Sequence, residues 1–194
     1  MKLAVVGAGS TYTPELVSGL ARDSEALDVR ELALHDIDAE RREVVGAMAR
    51  RMLDRQGFDG RLEITDELDA AVDGADFVLI QIRVGGQAAR LRDETVPLAC
   101  GCIGQETTGA GGFAKALRTV PVVLEIADRV RANASPEAWI VDFTNPVGIV
   151  TRALRYARRC RRPAPRSRTA PSSGRTPAAP ARAAARPSFG HSSR

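Results

Sequence analysis

Two glycines and an aspartate have the spacing of a nucleotide-binding site. Gly7 and Gly9 lie in Gly-Ala-Gly-Ser directly after an apolar run, and Asp36 follows Gly9 by 27 residues. Glycines in such a turn let the backbone approach a pyrophosphate, while a carboxylate at the end of the second strand binds both ribose hydroxyls and repels a 2′-phosphate. The pattern favours an NAD site over an NADP site, formed by Gly7, Gly9, Ser10 and Asp36. The alternative is a plain glycine turn beside a solvated aspartate.

Three further segments combine polar residues with glycine or proline: 83–94, 104–112 and 142–146. Arginines beside glycines suit an anionic group, because a guanidinium donates charge-assisted hydrogen bonds to it. This points to Arg90 or Arg92, with a solvated helix face as the alternative for one of them. Glu106 could act as a base, orient one, or be an ordinary loop carboxylate. Asn145 precedes a proline, so its backbone is expected to be extended and its amide to face a crevice, unless it forms an ordinary Asx turn.

The elements that position these residues alternate between strand and helix. Apolar runs typical of buried parallel strands lie at 2–6, 31–35, 62–65, 76–82 and 139–143. Helices are predicted to follow Thr13 and to cover 38–55, 113–133 and 147–158, with Pro121 kinking or splitting the third, and 83–112 is predicted to be a glycine-rich loop. Strands that alternate with helices predict an α/β fold, a doubly wound parallel sheet of the Rossmann type. The three polar segments would then meet at the carboxyl ends of its strands.

Charge is unevenly distributed along the 194 residues. Eight of the 28 basic residues and none of the 24 acids follow residue 160, so residues 1–160 contain 20 basic and 24 acidic side chains. No nucleic-acid surface is therefore expected in the part that can fold. No apolar run reaches the roughly 18 residues of a membrane span, and the apolar N-terminal run is too short for a signal peptide. Three cysteines without a signal peptide indicate a reducing cytoplasm.

Six motifs occur in an order that resembles glycoside hydrolase family 4, most closely its 6-phospho-β-glucosidases. They are Gly-Ala-Gly-Ser, His-Asp-Ile-Asp, Arg-Val-Gly-Gly, Ile-Gly-Gln-Glu-Thr-Thr-Gly-Ala-Gly-Gly, Ala-Leu-Arg-Thr-Val-Pro and Thr-Asn-Pro-Val-Gly-Ile-Val-Thr. The resemblance runs from Met1 to about Tyr156. It implies a Rossmann domain like that of lactate and malate dehydrogenases, followed in whole family members by a mixed α/β domain.

The resemblance also implies a phosphorylated sugar substrate, NAD, a divalent metal (usually manganese) and a redox-assisted elimination. In that reaction NAD takes a hydride from C3 of the sugar, and the resulting ketone acidifies the C2 proton. A base removes this proton, the C1–O bond breaks, water adds, and NADH returns the hydride. This route differs from the paired carboxylates of most glycosidases. Family members are expected to be homo-oligomers.

Roles from the family are transferred only to matching residues. Gly7, Gly9, Ser10, Asp36 and Arg83 match positions that bind the cofactor. Arg90 and Asn145 match substrate-binding positions, and Glu106 matches an acid that raises the basicity of a catalytic tyrosine. The family's metal-binding Cys-Asn pair, metal-binding histidine and base tyrosine have no match, so we expect no metal ligand in this chain. This absence predicts an inactive fragment of a glycosidase.

Residues 161–194 consist mainly of arginine, alanine, proline and serine. A segment with so few large apolar side chains cannot offset the entropy of ordering, so disorder is predicted after an NAD-binding domain at 1–160. The tail is either a basic arm for an anionic partner or the translation of GC-rich DNA in a shifted frame. The abrupt change of composition, just before the expected metal site, favours the second. A non-catalytic NAD-binding protein and a truncated malate-type dehydrogenase are the alternative functions.

Overall fold

The structure is a computed structural model that describes residues 1–160 and 182–185, with side chains described through residue 157. The strands are β1 (Lys2–Val6), β2 (Glu31–His35), β3 (Arg61–Thr65), β4 (Phe77–Ile80), β5 (Trp139–Asp142) and β6 (Arg182–Ala185). The helices are α1 (Thr13–Arg22), α2 (Ser24–Leu27), α3 (Ala39–Arg55), α4 (Leu68–Val72), α5 (Gly86–Thr95), α6 (Gly109–Asn133) and α7 (Val147–Cys160), with a 3-10 helix at Val96–Cys100.

The strands form one parallel sheet in the order β3-β2-β1-β4-β5-β6, which confirms the predicted Rossmann-type fold. Val5 of β1 is in register with Leu34 of β2 on one side and with Leu79 of β4 on the other. The order reverses between β1 and β4. In an open parallel sheet the ligand crevice lies at the carboxyl ends of the strands at this reversal.

Two apolar cores lie on the two faces of the sheet. Because successive side chains of a strand point to opposite faces, Leu3 and Val5 of β1 pack with residues of α1 and α3, including Val17 and Leu53. Ala4 and Val6 pack instead with residues of α4, α6 and α7. Both faces are thus covered by helices, as continuous apolar strands require.

The segment 83–112 is more regular than predicted. It contains α5 and the 3-10 helix, because Ala89 and Asp93 of α5 are buried one turn apart against the rest of the fold. Helix α6 also runs without a break through Pro121, so the predicted split does not occur. Thr119 and Val123, on either side of this proline, are fully buried, and their packing holds the helix together.

The described part of the region after residue 160 is β6, which pairs in parallel with β5. Without β6, β5 would present an unpaired edge, which an extended segment can join. The remaining predictions for the tail fall on 161–181 and 186–194, outside the described residues. Among the described helices, none is both long and apolar enough to cross a membrane.

Candidate active site

The turn between β1 and α1 is fixed by close backbone contacts. Gly7 has φ +89°, and a Cβ atom there would lie 2.9 Å from the carbonyl oxygen of Gln81. The side-chain amide of Gln81 donates hydrogen bonds to the carbonyl oxygen of Gly7 (3.3 Å) and to Oγ1 of Thr13 (2.8 Å). A side chain at Gly7 would therefore be strained as well as crowded. Sequence reasoning missed Gln81, whose only signal is a polar residue directly after a buried strand.

Asp36 lies directly against the glycine turn. Its Oδ2 accepts a hydrogen bond from the backbone N–H of Gly9 at 2.7 Å, and its Oδ1 accepts one from the N–H of Asp38 at 2.9 Å. A carboxylate oxygen can accept two hydrogen bonds, so each oxygen of Asp36 has one position left for a ribose hydroxyl. Asp38 caps α3 as the sequence suggests, since it accepts from the N–H of Arg41 at 3.1 Å.

This turn fits a dinucleotide. A Cβ atom on Gly9 would lie 2.7 Å from Oδ2 of Asp36, so only glycine allows the carboxylate this close to the backbone. Ser10 completes the turn, because its Oγ accepts from the N–H of Tyr12 at 3.3 Å. The helix that follows has no side-chain cap; in its first turn the N–H of Thr13 donates to the carbonyl oxygen of Ser10 at 3.0 Å, and Pro14 has no N–H.

Four residues form a charge cluster: Arg83 in the loop after β4, Arg90 on α5, Glu106 in the irregular segment before α6, and Lys115 on α6. Oε2 of Glu106 accepts hydrogen bonds from Nη1 of Arg83 (2.6 Å) and Nζ of Lys115 (2.9 Å), and lies 3.7 Å from Nε of Arg90. Nε of Arg90 also donates to Oε1 of Glu94 at 2.8 Å. Three of the predicted site residues are thus in direct contact. Lys115 was not predicted, because it lies within a helix of apolar periodicity.

Glu106 is held as an anion. Burial acts to raise the pKa of this carboxyl, but hydrogen bonds from Lys115 and Arg83 and their charges outweigh it and bring the pKa to about 2. A carboxylate with this pKa is a poor proton acceptor near neutral pH. Of the roles that the sequence leaves open for Glu106, the structure therefore favours an orienting role over that of a base.

The charge cluster and the glycine turn are neighbours. The pKa of Arg90 is raised, first by its hydrogen bond to Glu94, then by the charges of Glu106 and Glu94, and last by Tyr12. Tyr12 is the residue before α1, at the end of the glycine turn. The glycine turn follows β1 and Arg83 follows the neighbouring strand β4, so the two groups lie at the same edge of the sheet, at the carboxyl ends of its strands.

The segment after β5 joins the same edge of the sheet. Oγ1 of Thr144 accepts from the N–H of Ile82 (3.1 Å) and donates to the carbonyl oxygen of Ile80 (3.2 Å), which ties the end of β5 to the end of β4. Asn145 follows, half-buried, and its bond to Pro146 is cis. The structure thus places Asn145 at the crevice edge of the sheet, next to a fixed Thr144.

The described residues offer no metal centre. Within residues 1–157, no three His, Cys, Asp or Glu side chains are grouped so that they could hold a metal ion. Cys100 and Cys102 are exposed free thiols, and Nε2 of the buried His35 is 3.1 Å from the carbonyl oxygen of Asp66. The donor set for a manganese ion is therefore not found in this part of the chain.

The sheet order, the glycine turn and the aspartate after β2 define a dinucleotide-binding domain of the Rossmann class. The chain belongs to family 4 of the glycosyl hydrolases, whose family model (Family 4 glycosyl hydrolase) matches residues 2–162.

The chain is similar to several curated phosphoglucosidases but spans about a third of their length. It is 48% identical over 160 residues to "Probable 6-phospho-beta-glucosidase" of Bacillus subtilis (strain 168). This alignment covers 81% of this chain and 36% of that protein. It is 44% identical over 155 residues to 6-phospho-beta-glucosidase BglT of Thermotoga maritima, with 80% and 36% covered.

Solved structures show the same likeness. A 6-phospho-alpha-glucosidase from gut microorganisms, in complex with NAD and glucose-6-phosphate, superimposes with a TM-score of 0.79 at 36% identity, covering 82% of this chain and 36% of that one. The 6-phospho-beta glucosidase from Thermotoga maritima with manganese, NAD⁺ and glucose-6-phosphate has a TM-score of 0.75 at 44% identity, covering 80% and 37%. A malate dehydrogenase from Naegleria fowleri, 12% identical with a TM-score of 0.56, shares the fold alone.

Proposed function

We propose that this chain is the NAD-binding part of a glycosidase that cleaves the O-glycosidic bond of 6-phospho-β-glucosides. The observation that carries the proposal is that the glycine turn with Asp36 and the charge cluster around Glu106 lie at the carboxyl ends of two adjacent strands, β1 and β4. Two relatives of this family have been solved with NAD and glucose-6-phosphate together. A crevice with a dinucleotide cradle on one side and arginines on the other suits the same pair of ligands.

The chain's own residues bind and orient the dinucleotide. Gly7, Gly9 and Ser10 receive the pyrophosphate, and Asp36 accepts hydrogen bonds from the ribose hydroxyls. When bound, NAD supplies a reversible hydride acceptor at C3 of the sugar. Because Asp36 already holds the N–H of Gly9, ribose recognition and the shape of the phosphate turn depend on one carboxylate.

Arg90 and Asn145 are assigned to the sugar, and Arg83, which matches a cofactor-binding position of the family, is assigned to NAD. The two guanidinium groups donate to anionic oxygens, and the amide of Asn145 hydrogen-bonds to sugar hydroxyls. Glu106 stays ionised and orients these arginines. The described residues do not fit a manganese site, so no step is assigned to a metal ion here.

A β-linked substrate is favoured over an α-linked one. The relatives named as 6-phospho-β-glucosidases are 48%, 44% and 42% identical to this chain, whereas the relatives named as phospho-α-glucosidases reach 40%. NAD and phosphorylated sugars are charged and do not cross membranes unaided, which supports a cytoplasmic location. A homo-oligomer without nucleic-acid partners completes the proposal.

Calorimetric titration with NAD and NADP tests the proposal. We expect NAD to bind more tightly than NADP, and Asp36→Ala to weaken NAD at least about tenfold, since it removes charge-assisted hydrogen bonds worth roughly 1.5–3 kcal/mol each. Asp54→Asn, on the exposed side of α3, is the control and should change neither affinity. Tighter binding of NADP than of NAD would contradict the ribose role of Asp36.

A further inference from the structure

Lys115 is a buried cation to which neither the family motifs nor the proposed function gives a role. It lies in the second turn of α6 and is only 3% exposed. Its Nζ donates to Oε2 of Glu106 at 2.9 Å. A lysine is almost never buried to this degree unless it is paired, so the position is built for this contact.

Lys115 connects helix α6 to the irregular segment that contains Glu106. Glu106 lies in a segment that is neither helix nor strand, and α6 begins three residues later. The segment packs directly on the first turn of α6, since a Cβ atom on Gly111 would lie 2.2 Å from the carbonyl oxygen of Gln105. A buried ion pair from the next turn of the helix can therefore fix the direction of the Glu106 side chain.

The charges of the cluster do not cancel. Arg83, Arg90 and Lys115 face Glu106 and Glu94, which leaves one positive charge in excess. The side chain of Lys115 is 4% exposed, whereas those of Arg83 and Arg90 are 31% and 40% exposed. The excess charge is therefore available to a ligand at the two arginines. Because Lys115 already balances the negative charge of Glu106, the positive charge of the arginines is not needed to balance it.

We propose that Lys115 is the positioning residue of this crevice: it anchors Glu106 to α6, and Glu106 in turn directs Arg83 and Arg90 toward anionic oxygens of the ligands. That the ligands are NAD and a phosphorylated sugar rests on the proposed function, whereas the anchoring does not. Lys115 acts through Glu106 and makes no contact with either ligand.

The test compares Lys115→Met with Lys2→Met as a matched control. Lys2 also forms a partly buried ion pair with a glutamate, Glu31, at 3.0 Å, but at the amino ends of the strands, opposite the charge cluster. The carboxyl signals of carbon-13-labelled Glu106 are followed by NMR between pH 3 and pH 7 in the full 194-residue chain. Nitrogen-15 signals report the exchange of the Arg83 and Arg90 side-chain N–H groups.

In the unmodified chain and in Lys2→Met, Glu106 should remain ionised down to pH 3. In Lys115→Met its pKa should rise by about one pH unit or more, because an opposite charge in contact is lost, and the N–H groups of both arginines should exchange about tenfold faster. Lys115→Arg should restore part of both effects. An unchanged Glu106 titration in Lys115→Met, or an equal change in Lys2→Met, would overturn the proposal.

A second variant covers the case in which Lys115→Met does not fold. Glu106→Gln removes the charge that directs the arginines and keeps the shape of the side chain. Exchange of the Arg83 and Arg90 N–H groups should again become about tenfold faster, while that of Arg129, which is paired with Asp69 on α4, should not change. Unchanged exchange at both site arginines would refute the positioning role. The NAD titration is independent of all these readouts, so a failure of the proposed function is recognised separately.

Discussion

Asp142 makes the stability of the fold depend on pH. Its side chain is 3% exposed at the end of β5, and its Oδ1 accepts a hydrogen bond from the N–H of Thr144 at 3.0 Å. Its buried Oδ2 has no hydrogen-bond partner among the described residues. Burial is the main cause that raises the pKa of Asp142 from 3.8 to about 6, against the hydrogen bonds from Thr144. The folded chain therefore holds this proton more tightly than the unfolded chain does.

Because the pKa of Asp142 is higher in the folded chain than in the unfolded chain, protonation of this carboxyl stabilises the fold. Stability from this group is fully present below pH 3.8, falls as the pH rises toward 6, and is lost above it. The whole loss is about 3 kcal/mol, because each pH unit of pKa difference corresponds to about 1.4 kcal/mol. Between pH 5 and pH 7.5 the contribution of Asp142 to the free energy of unfolding falls by about 1–2 kcal/mol.

Urea unfolding at pH 5 and pH 7.5 measures this loss. Asp142→Asn should reduce the difference in unfolding free energy between the two pH values by about 1–2 kcal/mol, because an amide does not titrate. Asp54→Asn, an exposed site on α3, is the control and should leave the difference as in the unmodified chain. If Asp142→Asn leaves it unchanged too, the buried carboxyl does not titrate as argued.

Three other outcomes are expected. Gly9→Ala should weaken NAD binding at least about tenfold in a calorimetric titration, since its Cβ would lie 2.7 Å from Asp36, whereas Gly19→Ala, with open space around it, should not. Arg118→Met should lower the unfolding free energy in urea by about 3 kcal/mol, because Arg118 bonds both oxygens of the buried Asp93; a loss below about 1 kcal/mol would contradict this. The 194-residue chain should not hydrolyse p-nitrophenyl-β-glucoside 6-phosphate with NAD, manganese and reductant. Glu106, with a pKa of about 2, is a poor proton acceptor, and residues 1–157 hold no group of metal ligands; turnover above a no-enzyme control would refute this.

The strands were predictable because a buried parallel strand appears in the sequence as an apolar run. The predicted ranges 2–6 and 31–35 coincide with β1 and β2. Helix α5 was missed because only Ala89 and Asp93 are buried on it, which leaves almost no apolar periodicity to detect. A helix was predicted to follow Thr13, but Thr13 is itself the first residue of α1: its hydroxyl accepts a hydrogen bond from Gln81, and Tyr12 takes the cap position.

The glycine turn and its aspartate were predictable for a different reason. The contact between Gly9 and Asp36 joins the turn after the first strand to the carboxylate after the second, an arrangement that leaves a signature at fixed spacing in the sequence. Lys115 and Gln81 owe their roles to partners brought together by the fold: Lys115 meets Glu106 from another element, and Gln81 meets Gly7 from 74 residues away. Contacts of this kind have no pattern in a single sequence.

The central claim is that the glycine turn and the charge cluster form one site. The most direct measurement follows the nitrogen-15 side-chain signals of the arginines by NMR while NAD is added to the chain. The signals of Arg83 and Arg90 should shift with the same saturation curve as the backbone signal of Gly9, while that of Arg129, paired with Asp69 on α4, stays in place. If NAD shifts Gly9 but neither site arginine, or shifts all three arginines equally, the two groups do not share a crevice.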